Sequence, residues 1–274
     1  MMRLGIFFIS GVLSVFLITS CMQAKDKNDA NIIFLHHSTG EVIMNGNTDL
    51  KNDAITLPGL FKSYNKKLNK KYSFKETDFP KSEPYGWKNY PYDYYNIWVK
   101  NAGNQPFLTE PTLEMLTKDY DVIVFKHCFP VSNIQPDESS PDIDSELRSI
   151  ANYKLQYEAL REKLHEFSDV KFIVFTGAVQ VKANITEEEA LRAKSFFTWV
   201  KENWDQPDDN IYLWDLYELQ TEGGIYFKDE YARKATNSHP NREFAGRSVK
   251  LLFNRIIDVI EKNGTGTSLT GEMN

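Results

Sequence analysis

Four short, almost unbroken apolar runs constrain this chain more than anything else in it: residues 31–36 (NIIFLH), 121–126 (DVIVFK), 171–176 (KFIVFT) and 211–214 (IYLW). Runs this short, without alternation, fit strands buried on both faces, as in a parallel sheet. Between them the period becomes helical. Residues 58–72 read as a basic helix with Pro58 in its first turn, and residues 109–118 as a short helix. Residues 145–168 carry Tyr153, Tyr157, Leu160, Leu164 and Phe167 on one helical face. Thr186 and Glu189 make a capping box that opens a helix running to about residue 204. Val249, Leu252, Phe253, Ile256 and Ile260 mark a closing helix. Strands separated by helices predict an α/β domain: a mostly parallel sheet covered on both faces, spanning residues 31–263.

The chain has 274 residues and a formal net charge of −6, with no basic stripe. That balance argues against nucleic acid as a partner. Residues 1–20 are set apart from the fold: Arg3 is followed by an apolar run from Leu4 to about Ile18. The run is short for a membrane span and fits a secretory signal. Its ending, Ile18-Thr19-Ser20-Cys21, resembles a bacterial lipobox. The resemblance implies cleavage before Cys21, lipidation of Cys21, and a protein of the bacterial cell envelope held on a membrane outside the cytoplasm. An ordinary cleaved signal is the alternative. Residues 21–30 read as a polar tether and residues 264–274 as a flexible tail. With Cys21 lipidated, Cys128 has no disulfide partner, so stability must come from the core.

Open α/β sheets bind ligands outside the carboxyl ends of their strands. His36, His37 and Ser38 end the first apolar run, His127 ends the second, and His239 precedes the closing helix. Four of the five histidines thus fall on one predicted edge. A serine at a strand-to-helix turn and a histidine from a distant loop are the material of nucleophilic catalysis. The hydroxyl is weak until a neighbouring base takes its proton. No motif in the chain calls for a cofactor.

At these positions the chain resembles the SGNH (GDSL-like) hydrolase family, which implies a flavodoxin-like three-layer fold and ester hydrolysis. Ile33-Phe-Leu-His-His-Ser38 occupies the frame of the family's first block, with His36 and His37 where Gly-Asp stands; this places Ser38 as nucleophile. Asn101-Ala102-Gly103 matches the glycine block, which implies that the amides of Ser38 and Gly103 bind the oxyanion. Asn133 would be a displaced equivalent of the family's asparagine donor. Thr236-Asn-Ser-His239-Pro240 matches the last block in its histidine but lacks the aspartate. His239 would be the base, oriented by Asp229, Glu230 or Asp215, or Ser38 and His239 would act as a dyad.

Two other readings use the same residues. A family member without catalysis would use the cleft to bind glycan. Alternatively, His36, His37, His127 and His239 would hold a transition metal through neutral imidazoles, although adjacent strand residues point to opposite faces. Residues 85–98 (YGWKNYPYDYYNIW) hold seven aromatics. They would either wall the substrate cleft, favouring an acylated carbohydrate, or pack against the sheet.

Overall fold

The computed structural model describes residues 28–48, 55–138 and 140–274; the signal, Cys21 and most of the tether lie outside the described residues. Strands β1 (Asp29–His36), β2 (Lys71–Asp78), β3 (Val122–Phe125), β4 (Lys171–Phe175) and β5 (Ile211–Trp214) form one parallel sheet in the order β2-β1-β3-β4-β5. A two-stranded antiparallel hairpin, β6 (Ala232–Lys234) and β7 (Asn237–Pro240), stands apart from it. The helices are α1 (Ser38–Asn45), α2 (Leu57–Leu68), α3 (Pro91–Tyr94), α4 (Leu113–Asp119), α5 (Ile150–His165), α6 (Glu187–Trp199), α7 (Leu216–Thr221) and α8 (Arg242–Lys262). Wider π-type turns extend α3 over Tyr95–Lys100 and α6 over Val200–Trp204.

This is the three-layer α/β architecture expected from the apolar runs. Helices α1, α2 and α8 pack together on one face of the sheet. On the other, α3 and its extension pack on α5, and Tyr153 and Tyr157 of α5 meet Phe196 of α6 edge-on. All four residues of β3 are buried, which is why that stretch is apolar without alternation. Side-chain caps set several helix starts: Thr56 accepts from the Gly59 amide, Thr186 from Glu189, and Asn241 from Phe244.

The predicted helix 58–72 is corrected here. It stops at Leu68 because Asn69 takes a left-handed conformation, φ 53°. The Asn65 side chain then pairs with both the amide and the carbonyl of Tyr72, turning the chain directly into β2. That strand lies at the sheet edge with Lys71, Lys75 and Glu76 exposed, as charged edge strands that resist further pairing do.

The flexible tail is a second correction. The Leu269 carbonyl accepts the Asp215 amide at 2.9 Å, and the Thr270 carbonyl accepts Trp214 Nε1 at 3.0 Å. The Asp258 carboxylate receives the amides of Gly266 and Thr267 together with the Thr267 hydroxyl. Residues 264–274 are therefore docked beside β5 and α8. They supply partners to polar groups that burial would otherwise leave unsatisfied.

The sheet order reverses between β1 and β3, and helix α1 leaves β1 at that switch point. Its approach is unusually close. A Cβ on Gly40 would lie 2.4 Å from His36 Cβ and 3.0 Å from Lys126 Cδ. Only glycine seats α1 there without displacing a buried side chain. Gly40→Ala should therefore lower the urea midpoint of unfolding, at a cost of about 1–3 kcal/mol for overpacking.

Candidate active site

Ser38 is the first residue of α1 and is exposed, while His37 before it caps the helix through its carbonyl, which accepts the amides of Gly40 and Glu41. No acceptor engages the Ser38 or Thr39 amide among the described residues. Both belong to the helix's first turn, where backbone donors face outward and the macrodipole favours negative charge.

His239 lies on β7, with Nε2 3.0 Å from Ser38 Oγ across 201 residues of sequence. Its other nitrogen, Nδ1, lies 2.9 Å from Asn237 Oδ1. The same Oδ1 accepts the backbone amide of His239 at 3.0 Å. A backbone amide can only donate, so the carboxamide must present oxygen to it, and Nδ1 must carry the proton. The lone pair of Nε2 then faces Ser38. Ser38, His239 and Asn237 thus form a nucleophile–base–orienter relay in the tautomer that general-base catalysis requires. Phe129 packs edge-on against the imidazole at 5.3 Å.

The three carboxylates expected to orient His239 are corrected by this geometry. Asp215 caps α7 and is held by Thr176 at 2.6 Å and Lys201 at 2.8 Å. Glu230 pairs with Lys228, and Asp229 has no side-chain contact to His239. Asn237 was the missed residue. Its signal was present, since an Asn two positions before a histidine makes a tight Asx turn, but only the hairpin brings its oxygen onto Nδ1.

Both distal oxyanion donors are corrected as well. The Gly103 amide donates to Glu114 Oε2 at 3.1 Å, and Lys163 Nζ lies 2.6 Å from the other oxygen of that carboxylate. Lys163 is in the last turn of α5, which leads toward the amino end of β4, so Gly103 belongs to the far side of the sheet. Asn133 Oδ1 accepts from Gln180 Nε2 at 2.9 Å. Burial disfavours the Glu189 carboxylate, but hydrogen bonds from Thr186, Gln135 and Asn133 together hold its pKa down, so the Asn133 amide group is engaged too.

The remaining histidines are not site residues. His36 is buried, its Nδ1 3.2 Å from the His37 carbonyl and its Nε2 3.1 Å from the Glu76 carboxylate. Glu76 is half-exposed and solvated, whereas burial and then Lys126 drive the His36 pKa down to about 4. His127 is buried against the Tyr157 hydroxyl at 2.7 Å, and burial and Lys126 lower its pKa to about 3. The His37 ring nitrogen Nε2 meets the Pro80 carbonyl. The four histidines do not converge, and among the described residues no group of three His, Cys, Asp or Glu side chains is placed to share a metal ion. The aromatic segment packs inward: Tyr94 and Trp98 stack with Phe79 and Phe125 in the core. It does not line the Ser38 cleft.

That cleft, about 640 Å³, is walled by α1 and by the β6–β7 hairpin, with Arg233 and Arg242 at its rim. On the other side of His239 a smaller hollow of about 460 Å³ is lined by Phe129, Gln180 and Lys234. A cavity of about 820 Å³ at the amino ends of β4 and β5 is lined by His165 and Ser168 among others, but there His165 Nε2 lies 3.0 Å from Asp209 Oδ2. Beneath the site lies Lys126, which sequence reasoning also missed. Its Nζ is buried without a hydrogen-bond partner among the described residues, and burial lowers its pKa.

No family model matches the chain, and no curated protein matches it. Among solved structures, a gut microbial diltiazem-metabolizing enzyme aligns with 86% of this chain and 47% of its own, at 12% identity and a TM-score of 0.47. The chain thus spans about half the length of that structure.

The imidazole's environment has a measurable consequence. Burial, then Arg233 and Lys126, hold the His239 pKa below the 6.5 of a free imidazole. The base works only when neutral, so ester turnover limited by His239 should rise with pH through a midpoint below 6.5. In Asn237→Asp a carboxylate on Nδ1–H stabilises the imidazolium, raises the pKa and moves that limb to higher pH. Asn237→Ala should lower kcat about 10–100-fold by releasing the tautomer. Both follow from kcat/KM profiles between pH 4 and 9.

Proposed function

We propose that this protein is a serine esterase or deacetylase related to the SGNH hydrolases. The observation that carries the reading is the relay from Ser38 Oγ through His239 to Asn237 Oδ1, with contacts of 3.0 and 2.9 Å. Nothing in the fold requires an exposed serine, an imidazole and a carboxamide to align in the productive tautomer across a cleft. His239 takes the Ser38 proton as the hydroxyl attacks an ester carbonyl. The tetrahedral oxyanion forms beside the first turn of α1, at the amide of Ser38, where the helix dipole favours it. The imidazolium then gives its proton to the departing alcohol, and water repeats the sequence on the acyl-enzyme.

Asn237 in place of a carboxylate changes one part of this scheme. It fixes the tautomer but adds no negative charge to stabilise the imidazolium, so the activated complex depends more on the amides than it would with aspartate.

Hydrolysis of p-nitrophenyl acetate and labelling by a fluorophosphonate probe test the reading. The wild-type chain should be labelled and turn over ester. Ser38→Ala should abolish labelling and lower kcat by about 10³-fold or more, with His239→Ala close behind. An unlabelled wild type with turnover equal to that of Ser38→Ala would reject it.

The proposal includes a lipid anchor at Cys21 that would hold the enzyme in the cell envelope, supported by the apolar run and the Ile18-Thr19-Ser20-Cys21 sequence. No helix among the described residues is long and apolar enough to cross a membrane. Expressed in a bacterial host with labelled palmitate, the wild type should incorporate lipid and sediment with membranes. Cys21→Ala should do neither.

A further inference from the structure

Resting on the esterase reading, we infer that the cleft selects esters that carry an anionic group, and that Arg233 is the residue that recognises it. The chain as a whole is acidic, with a net charge of −6, yet Arg233, Arg242 and Lys234 surround His239. Arg233 is on β6, in the same hairpin that supplies His239 and Asn237, and it lines the Ser38 cleft. Its Nε donates to the Pro240 carbonyl at 3.3 Å, which fixes the stem of the guanidinium next to the base. No carboxylate lies within ion-pair distance of it among the described residues. The guanidinium is thus anchored by one nitrogen and keeps its terminal N–H fork for a ligand, the geometry that suits a carboxylate or phosphate oxygen pair.

The charges around the cleft favour this assignment. Among the described residues Glu41 is the one carboxylate lining it, and it stands on α1. Glu41 acts on buried His36, whereas Arg233 and Lys126 are the charged groups among the described residues that act on His239. A local positive field on a negatively charged protein concentrates anionic ligands at this mouth and repels them elsewhere. The anion sits on either the acyl chain or the alcohol, since His239 borders hollows on both sides.

Matched ester pairs test it at low ionic strength. Mono-p-nitrophenyl adipate against p-nitrophenyl hexanoate places the charge on the acyl side; 4-acetoxybenzoate against its methyl ester places it on the alcohol side. Wild type should favour the anionic member of at least one pair in kcat/KM, on the order of tenfold, the scale of one hydrogen bond to a charged group. The preference should shrink in 0.5 M salt. Arg233→Gln should bring the ratio close to one and Arg233→Lys should retain part of it, separating charge from any shift of the hairpin. Lys154→Gln, outside the cleft on α5, should keep the wild-type ratio. Ser38-dependent turnover with no anionic preference in either pair, or a preference unchanged in Arg233→Gln, would overturn the inference and leave the esterase reading standing. Calorimetric titration of monomethyl adipate into the Ser38→Ala chain reads recognition without turnover. An affinity about tenfold weaker in the Ser38→Ala, Arg233→Gln double variant supports the inference even if no ester is hydrolysed; equal affinities, or no binding to either, overturn it.

Discussion

The approach of α1 to β1 at Gly40 is the contact on which the rest of the site depends. Because position 40 has no side chain, the helix sits directly over His36 and Lys126, and its first turn opens at the switch point of the sheet. That placement aims the Ser38 hydroxyl at β7, with Ser38 itself lining the cleft. A bulkier residue would lift α1 by its width. Since α1 also packs on α8, the displacement would propagate into the closing helix. Close packing of this kind transmits sub-ångström changes because interiors have little free volume.

Under that helix the protein buries groups that water would ordinarily solvate. His36 and His127 are both held as neutral imidazoles, and the Lys126 ammonium is disfavoured by the same burial. Such groups cost stability unless hydrogen-bonded, and Lys126 Nζ has no such partner among the described residues. At the surface this layer adds to the effect of burial: His239's own burial, then Arg233 from the rim and Lys126 from below, all lower its pKa. Asn237 completes the arrangement by choosing which nitrogen carries the proton. Protonation and tautomer of His239 are thus biased by its burial, by two neighbouring basic side chains and by one carboxamide.

Much of the fold was legible in the chain. The four apolar runs became β1, β3, β4 and β5, and the Thr186–Glu189 capping box was correctly readable because local hydrogen bonds decide helix ends. Strand β2 was not, since its lysines continue the basic run of α2; the turn at Asn69 was the available mark. Within the site, Ser38 and His239 stand together as their neighbourhoods suggested. Asn237 was overlooked because the search was for a carboxylate, and Gly103 and Asn133 matched in spacing but bond elsewhere. The packed aromatic segment and docked tail show the same limit: hydrophobic or polar composition does not say which neighbour a segment finds.

The sequence by itself determined the class of fold, the strand edge on which polar residues gather, and the serine and histidine that meet there, because periodicity, caps and residue chemistry are local properties. Only the tertiary structure decided which oxygen orients His239, which amides remain open beside Ser38, and that Arg233 rather than an aromatic wall borders the cleft. The physical reason is separation along the chain. Ser38 and His239 are 201 residues apart, and whether a donor is open or occupied depends on which distant acceptor the packed sheet brings within 3 Å of it.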